Sequence, residues 1–175
     1  MAGLKEGYIQ VYTGDGKGKT TAALGLTLRA YGYGLKIFIA QFIKGKKYNE
    51  IKALEKFKDN VIVKQYGNGC FIRKKPSKMD IEMAENGLKE IRQILTSGDY
   101  DVVIMDEINV AMYFDLLKVE DVIELIKLKP EKVELILTGR KVAPQILEMA
   151  DLVTEMKEVK HYYAKGVIAR EGIER

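Results

Sequence analysis

The stretch Thr13-Gly14-Asp15-Gly16-Lys17-Gly18-Lys19-Thr20-Thr21 constrains this chain more than any other. It follows a short apolar run and leads directly into the helix-forming segment KTTAALGLTLRAY. Glycines at alternate positions free the backbone for dihedrals that turn N–H groups inward, and a helix start adds partial positive charge. Lys19 contributes a full charge, and the Thr20 hydroxyl is of the kind that ligates Mg2+. A strand, such a loop and a helix together suit the phosphates of a nucleoside triphosphate. The usual spacing, G-x-x-x-x-G-K-[ST], is met except that Thr13 stands where the first glycine belongs, with Gly14 following. A plain glycine-rich turn is the bland alternative, and the flanking strand and helix argue against it.

The rest of the chain alternates strand and helix. Periodicity and breakers predict strands over 8–12, 36–43, 61–65, 102–105, 134–138 and 152–156. They predict helices over 19–31, 49–57, 109–117, 120–127 and 143–149, with Gly32 and Gly34 ending the first and Pro130 breaking the chain after the fourth. The polar stretch GNGCFIRKKP over 67–76 reads as a loop. Ser77 and Asp80 then form a capping box for a helix running to about Leu95. This alternation implies an α/β fold, a mainly parallel sheet with helices on both faces. No repeat or linker divides the chain, so 1–175 reads as one domain. Ligands of such sheets bind beyond the carboxyl ends of the strands.

Two further strand ends carry chemistry. In Val102-Val103-Ile104-Met105-Asp106-Glu107 an apolar run ends in two carboxylates, placed to hold Mg2+ beside the phosphate loop. Alternation would turn Asp106 and Glu107 in opposite directions, leaving one as the direct ligand. In Thr138-Gly139-Arg140 an arginine follows a strand, and its planar fork suits phosphate oxygens, although a solvated surface arginine has the same spacing. Arg29, on the helix after the loop, is a similar candidate.

Groups for acid–base or nucleophilic work are scarce. His161, in a tail rich in Tyr and Gly, is the only histidine and Cys70 the only cysteine, so no Ser/His/Asp or Cys/His set can be assembled without His161 and no paired-cysteine metal site exists. Either Glu107 activates a water, making an ATPase that drives a partner, or the second substrate brings its own nucleophile; a binding carrier is the third alternative. The 29 Lys+Arg against 25 Asp+Glu give a formal charge of +4, which suits an anionic ligand or simply a solvated basic surface. No arginine-rich arm suggests nucleic acid, and no run approaches the ~18 apolar residues of a membrane span. One thiol and no secretory leader point to a reducing, cytoplasmic setting.

The segments YTGDGKGKTTAALGLTLRAYGYG, QFIKG, VVIMDEINVAMYFDLL, LILTGR and EMADLVTEMKEVKHYYAKGVIAREGIE occur in this order. Together, from Gly7 onward, they resemble the ATP:corrinoid adenosyltransferase family of the phosphate-loop type. The resemblance implies a RecA-like fold, a homodimer, and transfer of the 5′-deoxyadenosyl group of ATP to cob(I)alamin or a corrinoid precursor, releasing triphosphate. It implies ATP binding by Gly14, Asp15, Gly16, Lys17, Gly18, Lys19, Thr20 and Thr21, with Arg29 and Arg140 also near the nucleotide. Lys19, Glu107 and Arg140 are then catalytic, and Thr20, Glu107 and Asp106 hold Mg2+. A reducing partner converting Co(II) to Co(I) is implied as well. The family's loop Gly-Thr-Gly-Phe-Thr-Trp corresponds here to Gly67-Asn68-Gly69-Cys70-Phe71-Ile72. This puts Cys70, Phe71 and Ile72 on the corrinoid side, with Phe71 as the aromatic that would replace the missing tryptophan. Few residues precede the first strand, where family members often carry a segment that covers the active site.

Overall fold

Six β-rich runs pair into one sheet in the computed structural model of this chain, which describes residues 3–46, 48–69 and 76–174. The strands are β1 (Ile9–Thr13), β2 (Ile37–Lys44), β3 (Val61–Gly69), β4 (Val102–Asp106), β5 (Glu134–Thr138) and β6 (Leu152–Glu155). The helices are α1 (Lys19–Tyr33), α2 (Asn49–Leu54), α3 (Lys78–Thr96), α4 (Ile108–Tyr113), α5 (Val119–Lys127) and α6 (Pro144–Met149). Strand order is β3-β2-β4-β5-β1-β6, and every pairing is parallel. Parallel neighbours need crossovers, and the helices supply them on both faces.

Period-two alternation divides the core into two layers. Phe38, Ala40 and Phe42 of β2, Val103 and Met105 of β4, and Leu135 and Leu137 of β5 pack against α3, α4, α5 and α6. Ile37, Ile39, Val102, Ile104 and Ile136 face the other way, against Ala23 and Ala30 of α1. Between them the two layers bury most of the three central strands, which is why those runs are largely apolar rather than alternating with polar residues.

The expected elements are present with instructive differences at their ends. α1 runs through Gly32 and stops at Gly34, whose φ of 94° is the left-handed value that ends helices. Asp115, with φ 56°, follows the end of α4, so the helix expected over 109–117 is shorter. The Ser77–Asp80 capping box is formed in both directions. β3 extends to Gly69, into the stretch expected to be loop, because its backbone pairs with β2 as far as Lys44↔Gly69. Polar side chains do not oppose this on an edge strand, since the ladder is made by backbone groups.

Gly87 shows packing overruling propensity on α3. A Cβ there would lie 2.6 Å from Cγ and 3.0 Å from Cβ of Tyr66, near the root of a buried ring. That ring is fixed by its hydroxyl, which donates to Glu90 Oε2 at 2.9 Å. Alanine ordinarily gains about 1 kcal/mol over glycine in a helix. Gly87→Ala should instead lower stability by about 1–3 kcal/mol through overpacking, read from the urea midpoint. A raised midpoint would mean that β3 and α3 separate freely.

Candidate active site

The same alternation that divides the core also assembles the polar centre. On β4, Asp106 follows Val102 and Ile104 onto the α1 face; on β5, Thr138 follows Ile136; on β2, Gln41 follows Ile37 and Ile39. All three lie at the carboxyl ends of their strands, where α1 begins. β5 separates β4 from the loop-bearing β1, so Thr138 bridges the two motifs. Asp106 is 1% exposed. Its Oδ1 accepts from Thr20 Oγ1 at 2.8 Å and from Thr138 Oγ1 at 2.6 Å. Its Oδ2 accepts from Lys44 Nζ at 2.8 Å and from Gln41 Nε2 at 3.1 Å. Burial pulls the Lys44 ammonium down, but the Asp106 carboxylate outweighs it and raises the pKa above the ordinary lysine value.

Glu107 does not continue the strand in the opposite direction, as alternation had suggested. It takes φ 61° and caps α4, with its N–H donating to Thr138 Oγ1 at 3.0 Å. A left-handed non-glycine residue at this turn is a costly conformation that the surroundings hold in place. Burial, and then the neighbouring Asp106 charge, push the Glu107 carboxyl above its usual range.

The loop is tightly built. Gly14 and Gly18 have φ of 90° and 121°. Lys19 is 7% exposed, and its ammonium donates to Gly14 O and Gly16 O, both at 2.7 Å, folding back over the loop. Burial, and then the charge of Arg140, lower its pKa, while Glu107, Asp15 and Asp106 act against this. Lys19, Thr20, Asp106, Glu107 and Arg140 thus share one electrostatic neighbourhood. Asn109 Nδ2 donates to Gly139 O at 3.2 Å, tying down the turn that carries the exposed Arg140.

Lys17 serves a different direction. Its ammonium reaches Glu174 Oε1 and Ile173 O, each at 3.2 Å, and Tyr162 Oη at 3.4 Å, all in the segment after β6. The Gly16 N–H donates to Met156 O at 2.6 Å, so this segment is laced to the loop. Arg29 lies ten residues beyond Lys19 along α1, a rise of about 15 Å. It is exposed, beside Tyr12 rather than with the loop. Cys70, Phe71 and Ile72 lie outside the described residues.

Sequence reasoning did not single out Gln41, Lys44 or Thr138 as site residues. Gln41 is the one polar residue inside an otherwise apolar run, and Thr138 precedes a glycine-arginine pair at a strand end. Both signals become legible once strand parity is followed from the apolar neighbours. Oxygen donors from Thr20, Asp106 and Glu107 match the preference of Mg2+, which ordinarily completes its shell with water and substrate phosphates. Among the described residues no cluster of three or more acidic, histidine or cysteine side chains forms a metal cage.

Residues 5–175 match the family described as ATP:corrinoid adenosyltransferase BtuR/CobO/CobP. The corrinoid adenosyltransferase of Pseudomonas aeruginosa is 34% identical over 97% of this chain and 84% of its own length. That of Escherichia coli K12 is 36% identical over 97% of this chain and 86% of its own. The solved structure of the flagellar accessory protein FlaH from Methanocaldococcus jannaschii shares the fold, with a TM-score of 0.61 at 13% identity over 87% of this chain and 72% of that one. No helix among the described residues is long and apolar enough to cross a membrane.

Asp106→Ala would leave the Lys44 ammonium, whose side chain is 16% exposed, without its anion, and would orphan three further donors. The variant should unfold about 3 kcal/mol more easily than the parent in urea. A loss below about 0.5 kcal/mol would mean that the four donors find other partners.

Proposed function

This chain belongs to the ATP:corrinoid adenosyltransferase family, and on that premise we propose how its residues move the adenosyl group from ATP to a corrinoid. The observation that carries the reading is the convergence of Lys19, Thr20, Asp106, Glu107 and Arg140 at the carboxyl ends of the strands, with neither a histidine nor a cysteine among them. In the proposed reaction the electron pair of Co(I) forms a bond to the ribose C5′. The bond between C5′ and the oxygen of the α-phosphate breaks, and triphosphate leaves with the electron pair of that broken bond, while the cobalt is formally oxidised to Co(III). No proton changes hands in this step, so a histidine or cysteine is not needed. The hard chemistry resides in the corrinoid, and the protein positions the reactants and neutralises charge.

The residues of the loop, Gly14, Asp15, Gly16, Lys17, Gly18, Lys19, Thr20 and Thr21, cradle the triphosphate. Lys19 leaves its carbonyl partners to meet the growing charge on the leaving group, and Arg140 clamps its oxygens from the β5 turn. Arg29 is assigned to the nucleotide by resemblance alone. Thr20, Asp106 and Glu107 would hold Mg2+, which when bound offsets phosphate charge. Cys70, Phe71 and Ile72 are assigned to the corrinoid side. The reading also includes a homodimer, a reducing partner that supplies Co(I), and a cytoplasmic setting.

An anaerobic assay with chemically reduced cob(I)alamin, ATP and Mg2+ should give light-sensitive adenosylcobalamin together with intact triphosphate. ADP and phosphate without a cobalt–carbon bond would replace this reading with that of an ATPase. Lys19→Ala should fold and lower the rate by about 100-fold or more. Near-parental turnover in the folded variant would remove the loop lysine from the mechanism.

A further inference from the structure

β2 breaks its own alternation just before it reaches the site. Phe42 and Ile43 both pack against the α3–α6 layer although they are consecutive, and the register with β3 shifts between Phe42 and Lys44. Ile43 takes φ 66°, a left-handed conformation that a β-branched residue seldom adopts. The neighbouring backbone leaves no room to relax. A Cβ on Gly67 would lie 2.3 Å from Ile43 C and O, and one on Gly45 would lie 2.2 Å from Gly67 O. Bulges of this kind re-aim side chains next to active sites. Without it, Lys44 would follow Phe38, Ala40 and Phe42 into the apolar layer. With it, Lys44 joins Gln41 on the α1 face, its ammonium 2.8 Å from Asp106 Oδ2 and 3.3 Å from Thr20 Oγ1. Strained conformations persist where the surroundings over-determine them, and here what they deliver is one cation.

That cation sits against the same hydroxyl and carboxylate that a nucleotide-borne divalent ion would use. We propose that Lys44 is the site's resident cation. It holds the Asp106–Thr20 pair, competes with a divalent metal for that pair, and turns to the triphosphate when the metal displaces it. Lys44 is on this account a positioning residue, specific to charge rather than to shape. The assignment rests on the reading that the loop receives a triphosphate.

The two roles of such a cation pull binding in opposite directions, which separates them from a merely structural contribution. Mn2+ alone, titrated by electron paramagnetic resonance without nucleotide, should bind Lys44→Gln at least about fivefold more tightly than the parent, because a positive charge has left the metal's neighbourhood. ATP in EDTA, titrated calorimetrically, should bind the same variant at least about fivefold more weakly, since Asp106 and Glu107 then face the phosphates uncompensated. Lys44→Arg should recover the metal-free ATP affinity. Glutamine retains a donor for Asp106, and Lys44→Met repeats the loss of charge should the glutamine variant fold poorly. Mn2+ affinity that is unchanged or weaker in the charge-free variants, or metal-free ATP affinity that is unchanged, overturns the assignment. If the parent itself binds no ATP, the triphosphate reading falls, while the Mn2+ titration still decides whether Lys44 competes with a metal.

Discussion

The carboxylate of Asp106 is the contact on which the rest of the site depends. It accepts from α1 through Thr20, from β2 through Gln41 and Lys44, and from β5 through Thr138. A buried carboxylate is costly unless its lone pairs are used, and four donors use them fully. The bonds also fix relative positions: the start of α1 cannot drift from the ends of β2, β4 and β5 without breaking one of them. The phosphate loop is therefore anchored at its helical end by a side chain from another strand. Thr138 adds the second tie, since the Glu107 N–H donates to the same hydroxyl that donates to Asp106. One threonine so sets the turn in which Glu107 adopts its left-handed backbone.

Much of this was legible in the sequence, because the strongest signals were local. A glycine-rich loop between a strand and a helix, carboxylates ending an apolar run, and a capping box at Ser77 each depend on residues a few positions apart. What escaped depends on distant partners. The extension of β3 through Gly69 follows from pairing with β2 and leaves little trace in the polar residues themselves. The left-handed turn at Glu107 contradicts simple alternation, because α4 starts at once and the strand must end at Asp106. Lys44 was the least legible. By parity it belongs to the apolar layer, and only the bulge at Ile43 brings it to Asp106.

The loop glycines acquire a second cause in the folded chain. Read from the sequence, they serve the approach of phosphate. In the structure a Cβ on Gly14 would lie 2.5 Å from Met156 O, and one on Gly16 would lie 2.6 Å from the same atom. The backbone after β6 thus runs so close to the loop that two of its positions exclude side chains. Lys17 fastens the same segment from outside through Glu174 and Tyr162, while Arg170 lies over the Tyr162 ring, 5.0 Å from its centroid. Hydrogen bonds from Arg170 and Tyr162 hold the Glu174 carboxyl well below its ordinary range, so the carboxylate keeps its charge into more acid solution than a free glutamate would. The final segment and the loop are therefore held to each other at two places, at the loop backbone and at Lys17.

The charge arrangement explains how such a site can hold several buried charges and still suit an anion. Lys19 is satisfied by loop carbonyls, and Lys44 by Asp106; Arg140 stands exposed at the rim. In the proposed reaction each buried cation exchanges its partner for phosphate oxygens without first being desolvated, so little reorganisation is required. A base would add nothing to this economy. The reaction proposed for the site creates charge on a leaving group and moves no proton, and what the fold supplies is fixed positive charge at the place where that negative charge grows. The strain at Ile43 and the turn at Glu107 are the local costs of bringing those charges to one strand edge.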